Sequence, residues 1–153
     1  MESTDLSAFS HQFVLSLLQF QSSCLSLSFS HGDLKLGTRA FDVLFTLCRH
    51  PEEVLTMSQL AGCLQVSHPQ LSKVVAPLED QRLVRRRHDE MNRRLVYIAV
   101  TPAGRELVQA VTLEAARQFL PGLSALSPRE RRRLEESLHT LDTLLHKAGC
   151  HTW

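Results

Sequence analysis

The chain is 153 residues long and 43% hydrophobic, with a formal net charge of +1, a size that suits one domain with room for an oligomerisation segment. No stretch reaches the roughly 18 consecutive apolar residues of a spanning helix, which excludes a transmembrane segment. The start, Met1 to Leu6, carries two acids and no Lys or Arg, unlike the cationic opening of a secretion leader, so a cytoplasmic location is expected.

From about residue 4 to residue 29, Leu6, Phe9, Phe13, Leu17, Phe20, Cys24 and Leu27 recur at spacings of three and four. This is one apolar stripe on a long helix, and it needs a partner surface from the rest of the chain or from a second subunit. His31-Gly32-Asp33 breaks that helix. Thr38 can cap the next, which carries Phe41, Leu44, Phe45 and Cys48 and ends near His50-Pro51. Val54-Leu55-Thr56 suits a short strand. Thr56-x-x-Gln59 then reads as a capping box that opens a third helix, and Ser67-x-x-Gln70 opens a fourth. In the fourth helix Leu71, Val74, Val75 and Leu78 form a core-facing stripe, while His68, Pro69, Gln70, Ser72 and Lys73 face the other way. Two short capped helices joined by a tight turn have the layout of a helix-turn-helix. Pro77 lies inside the second of them, where its missing donor predicts a kink or an early end.

Leu83-Val84 leads into Arg85-Arg86-Arg87 and a polar loop, after which residues 95–100 alternate in a β-branched run, so a β-hairpin wing is predicted. Thr101-Pro102 starts a fifth helix bearing Leu107, Val111, Ala115 and Phe119, which should end near Pro121-Gly122. Ser127-Pro128-x-Glu130 opens a sixth, with Leu134, Leu138, Leu141 and Leu145 on one side. Between His68 and Arg94 there are seven Lys or Arg against four acids, a surplus of three in a chain otherwise close to neutral. Such a local surplus is the footprint of phosphate contacts. Fourteen of the seventeen cations are Arg, whose planar fork suits phosphate and guanine.

Several chemistries find no support. There is no Gly-rich phosphate loop, no H-E-x-x-H and no G-x-S-x-G, so neither an enzyme nor a cofactor is expected. Cys24, Cys48, Cys63 and Cys150 are widely spaced with no C-x-x-C pair, which argues against a disulfide framework or structural zinc. Cys24, Cys48 and Cys63 fall in apolar helical settings, where a free thiol is a small hydrophobe. His139, His146, Cys150 and His151 are the nearest approach to a metal set, and no metal site is assigned.

Four segments, in this order and spacing, resemble the MarR family of regulators. They are Leu55-Thr56-x-x-Gln59-Leu60-Ala61, Leu78-Glu79-Asp80-Gln81-Arg82-Leu83-Val84-Arg85-Arg86, Asp89-x-x-x-Arg93-Arg94, and Val100-Thr101-Pro102-Ala103-Gly104-Arg105. The match begins at Leu36-Gly37-Thr38-Arg39-Ala40-Phe41 and covers close to half of the chain. The resemblance implies a mainly α fold with a small β-wing. It would form a single unit over 1–153, with a winged helix-turn-helix at 36–101 and dimerisation helices at 4–33 and 102–148. It also implies a homodimeric regulator of transcription, a repressor, that binds double-stranded DNA and is released by a small-molecule effector.

Carried over by position, His68, Pro69, Gln70, Ser72 and Lys73 face bases or phosphates in the major groove, and Arg94, with Arg93 beside it, reaches the minor groove. Arg86 completes the DNA-binding set. Gln can pair with adenine, and Arg favours the negative minor groove of A·T-rich DNA. Gln65 and Arg82 occupy positions where the family usually has glycine, and Asn92 replaces a wing aspartate. Phe13, Ser16, Phe20, Phe41 and Phe45 supply the apolar walls and polar anchor of the expected effector pocket. Sensing by cysteine oxidation or by a metal, and a winged helix that binds protein in place of DNA, stay open as alternatives.

Overall fold

The structure, a computed structural model, describes residues 2–25, 30–31, 34–50, 52–92 and 95–148. Six helices and five strands follow in chain order: α1 (Glu2–Leu25), β1 (Ser30–His31), β2 (Leu34–Lys35), α2 (Arg39–Arg49), β3 (Val54–Thr56), α3 (Met57–Leu64), α4 (His68–Asp80), β4 (Val84–His88), β5 (Val96–Val100), α5 (Pro102–Ser124) and α6 (Pro128–Lys147). The five helix starts called from local sequence are in place. Thr38, Thr56, Ser67 and Thr101 each accept a hydrogen bond from the backbone N–H three residues on. The Ser127 hydroxyl does the same for Glu130 at the head of α6. These caps satisfy donors that have no intrahelical acceptor.

β3, β5 and β4 form an antiparallel sheet in that order, with Leu55 opposite Ile98 and Arg86 opposite Ile98 from the other side. The small β1–β2 hairpin, which sequence reading did not call, pairs His31 with Leu34. The core gathers Leu44 and Leu47 of α2, Leu60 of α3, Leu71 and Val75 of α4, Ile98 of β5 and Val111 of α5, each almost completely buried. Burying a side chain of this size stabilises the fold by roughly 1.5–3 kcal/mol. The head of the molecule is therefore the winged helix-turn-helix together with the first half of α5.

Among the described side chains, those of α1 and α6 contribute none to that core. Phe9 and Leu18 of α1, and Leu138 and Leu144 of α6, are half exposed or more. Of the stripes read from sequence, Phe9 and Leu17 of α1 and Leu134, Leu138 and Leu141 of α6 are exposed in the protomer, while Leu6, Phe20, Cys24 and Leu27 lie outside the described side chains.

Two helix ends differ from expectation. α4 runs three residues past Pro77 to Asp80, and the carbonyl of Pro77 accepts a hydrogen bond from Gln81 N at 3.1 Å. α5 passes through Pro121-Gly122 to Ser124, and Ala125 N closes on Gly122 O. In each case the proline removes one donor while the following turn still closes; α4 is packed on the core through Leu71, Val75 and Leu78, whereas α5 around Pro121 is exposed.

Gln65 and Arg82 have φ of 51° and 59°. Each follows a helix in the left-handed conformation, with paired bonds running back into the last turn: Val66 N to Ala61 O and Gln65 N to Gly62 O, then Leu83 N to Leu78 O and Arg82 N to Glu79 O. This is the arrangement in which glycine is favoured, and here two side-chain-bearing residues adopt it.

Candidate nucleic-acid interface

The turn at Gln65 sets α3 and α4 as a helix-turn-helix, and α4 opens with its polar residues outward. His68, Pro69, Gln70 and Lys73 are exposed and Ser72 is half-buried. At about 100° per residue, His68, Pro69 and Ser72 share one flank of α4, Gln70 and Val74 the opposite flank, and Lys73 the crest between them. The wing flank opens into a groove of about 370 Å³ lined by Met57, Ser58, His68, Pro69, Ser72, Arg86 and Leu95. Four of the sequence-predicted residues, His68, Pro69, Ser72 and Arg86, thus meet at one groove.

The strand pleat divides the arginine run. Arg86 lies on the groove side with its Nε 2.9 Å from Glu79 Oε2, off the line of a directed hydrogen bond. Glu79 stands in the last turn of α4, so this ion pair ties the base of the wing to that helix. Arg87, on the other face, sets its guanidinium 5.7 Å from the centre of the Tyr97 ring, its cross-strand neighbour. Asp89 holds the turn at the wing tip. Its Oδ1 accepts from Met91 N at 3.0 Å and Asn92 N at 2.8 Å, and Tyr97 donates its hydroxyl to Oδ2 at 3.5 Å. Sequence reading assigned Arg87 and Asp89 no such parts; a loop over residues 88–94 sets Arg87 opposite Leu95, two residues short of its actual partner Tyr97. Arg93 and Arg94 lie outside the described residues.

Gln70 has a constrained role. Its Oε1 accepts from Ser67 N and from the Ser67 hydroxyl, both at 3.0 Å. Two-point pairing with adenine needs that same oxygen as the acceptor from the base amine. While the capping box is closed, Gln70 offers only its amide donor.

Residues 34–95 match the MarR family model, in a segment that holds α2, the helix-turn-helix and most of the wing. That stretch is MarR-like. No curated protein matches the chain. The transcriptional regulator BldR from Sulfolobus solfataricus is 24% identical, with 96% of this chain and 99% of that one covered and a TM-score of 0.62. MepR, a transcription regulator of the Staphylococcus aureus multidrug efflux pump MepA, is 23% identical over 95% and 98% of the two chains, with a TM-score of 0.57. A MepR variant bound to an oligodeoxyribonucleotide has a TM-score of 0.52 at 24% identity, covering 95% and 98%. At these identities the likeness establishes the fold: a winged helix with helices added at both ends.

In this MarR-like fold the candidate effector residues divide. Phe41 is buried in the core, stacked on the half-buried Phe45 with ring centres 5.5 Å apart. Phe13 stacks on Phe9 at 6.2 Å within α1, and the Ser16 hydroxyl donates to Gln12 O. Among the described residues α1 and α2 share no close packing; Phe13 and Ser16 lie on α1, and Phe41 and Phe45 on α2. The side chain of Phe20 lies outside those described. Two buried polar atoms have no partner among the described residues, Thr46 Oγ1 in α2 and His50 Nδ1 at its C-terminal cap, one helical turn apart.

The thiols differ as well. Burial pushes the Cys48 thiol up, the charge of Glu53 adds to this, and Arg105 opposes it, so the thiolate needed for easy oxidation is disfavoured. Cys63 is exposed, contrary to the apolar setting expected, because Leu60, Ala61 and Leu64 take the inward face of α3. Among the described residues no group of three or more His, Cys, Asp or Glu side chains is placed to hold a metal ion, and no helix is long and apolar enough to cross a membrane. Cys150 and His151 lie outside the described residues.

Proposed function

We propose that the protein is a sequence-specific, double-stranded-DNA-binding regulator of transcription that works as a homodimer, as a repressor released by a small molecule. The observation that carries the DNA reading is the exposed polar opening of α4 beside an arginine-bearing wing, with both contributing to one groove. The bound oligodeoxyribonucleotide of the MepR variant supports the same reading. In this assignment α4 enters the major groove, where Lys73 and His68 meet bases or phosphates. The wing, with Arg93 and Arg94, reaches the adjoining minor groove.

The dimer reading rests on the apolar surface that α1 and α6 leave open. Exposed apolar side chains gathered along a helix mark an interaction site, and a two-fold pair of winged heads fits two DNA half-sites about one helical turn apart. Release by a small molecule is what the resemblance at residues 34–95 implies. A ligand that binds one dimer geometry better than another would shift the spacing of the two heads.

The test is a fluorescence-anisotropy titration with duplex DNA from the promoter of the protein's own gene, at low and moderate salt. Wild type, Lys73→Ala and Arg94→Ala would be compared. Tight binding that weakens steeply with salt, and that Arg94→Ala weakens by about 1–3 kcal/mol, is the expected outcome. Absence of salt-dependent binding to this DNA and to unrelated duplexes would overturn the DNA reading in favour of a protein partner.

A further inference from the structure

A second groove, of about 300 Å³, lies on the flank of α4 away from the wing and is lined by Arg39, Val43, Gln65, Val66, Gln70 and Val74. Its polar rim comes from three places: the first residue of α2, the turn of the helix-turn-helix, and the first turn of α4. Arg39 is free to turn outward. Its side chain is 61% exposed, and its contact with Asp42, at 3.8 Å, is a loose one within the helix. Contacts of that kind at the surface are worth little and yield to a stronger anion. Gln70 has its oxygen held in the cap, so the group it can offer to the groove is its amide donor. The rim thus presents a fixed cation and amide donors above apolar walls.

We propose that Arg39 and Gln70, with Gln65 beside them, form a seat for a DNA backbone phosphate on this flank of α4. The inference rests on the DNA-binding reading above and extends it. A helix lying in the major groove, about 12 Å wide, has a phosphate backbone on each side. The wing flank carries Arg86, and the Arg39 groove occupies the flank opposite. With both in contact, the recognition helix is held between the two backbones, and its register no longer depends on the wing alone. The seat is blind to sequence: it positions and does not specify.

The experiment is a titration of a mixed-sequence duplex over a range of salt concentrations. Wild type, Arg39→Ala, Arg39→Lys, Gln70→Glu and, as a reference, Lys73→Ala are compared, each first shown to be folded by thermal melting. Gln70→Glu keeps the capping oxygen and sets a negative charge where the amide donor was. The seat predicts that Arg39→Ala lowers the slope of log affinity against log salt by about 0.9 and weakens binding about eightfold at 0.1 M salt, since one counterion fewer is released. Arg39→Lys should keep the slope, and Gln70→Glu should weaken binding while melting no lower than wild type. If Arg39→Ala matches wild type in slope and affinity while Lys73→Ala binds more weakly, the seat is overturned and the DNA reading stands. If wild type itself shows no salt-dependent binding, both fall together.

Discussion

Gly104 sits against the carbonyl of Leu83 so closely that a Cβ at Gly104 would meet that oxygen at 2.2 Å. The contact is held by Thr101, whose N–H donates to Leu83 O at 3.0 Å and whose hydroxyl lies 2.7 Å from Arg82 O and accepts from Gly104 N at 3.1 Å. The first turn of α5 is thereby fastened to the link between α4 and the wing. Gly104→Ala forces that link to shift, because the obstacle is backbone. We expect it to lower stability by about 1–3 kcal/mol, read as a drop in Tm, although alanine is the better helix former. A Tm equal to that of wild type would show that the link moves freely.

The wing turn depends on one carboxylate. Asp89 accepts from two successive backbone N–H groups, and each such bond is worth about 0.5–1.5 kcal/mol locally. Asp89→Ala should leave Tm almost unchanged, since the turn is exposed and remote from the core. It should speed amide hydrogen exchange at Met91 and Asn92 and weaken DNA binding severalfold. Unchanged exchange at both amides would mean that the turn holds its shape without the carboxylate.

Asp42 gives a pH-dependent prediction. Burial raises its pKa, and Arg39 only partly opposes the shift. A carboxyl whose folded pKa lies above its unfolded value costs stability once it is charged, and that cost disappears as pH falls through the raised pKa. Asp42→Asn, which stays neutral, should therefore melt higher than wild type near neutral pH. The advantage should shrink as the solution is acidified through and below the ordinary aspartate range. Melting curves of the two proteins across that range check the sign; a variant that is less stable at neutral pH would contradict it.

The exposed leucines of α6 predict the consequence of charging them. Leu138 is 50% exposed in the protomer, so Leu138→Glu should cost an isolated chain little. If α6 is buried between two chains, the same change places an unpaired carboxylate in an apolar interface, which is strongly unfavourable. Sedimentation should give twice the chain mass for wild type and a shift towards the single chain for the variant. Equal masses for the two would place the dimer contact elsewhere.

Much of this was legible in the sequence because it is local chemistry. The caps at Thr38, Thr56, Ser67, Thr101 and Ser127, and the leucine and valine stripe of α4, are written in residues three and four apart, so a linear reading finds them. The basic stretch that became the wing is contiguous, and the left-handed turns at Gln65 and Arg82 were marked by glycines that the resemblance led one to expect. The prolines mark the limit of that reading: whether Pro77 is accommodated depends on packing that the sequence does not display, and α5 runs two residues past Pro121-Gly122.

What the tertiary structure alone decided is which faces meet. Periodicity says that a helix has an apolar side; it does not say what covers that side. Phe41 and Phe45, four residues apart on α2, differ in burial because α2 packs unevenly against its neighbours. Arg86 meets Glu79 and Arg39 reaches the flank of α4 only because distant segments fold together. The stripes of α1 and α6 ask in the sequence for a partner surface, and in the protomer Phe9, Leu17, Leu134, Leu138 and Leu141 stay exposed: spacing along a chain records a need for burial, and only the assembled surfaces determine where that need is met.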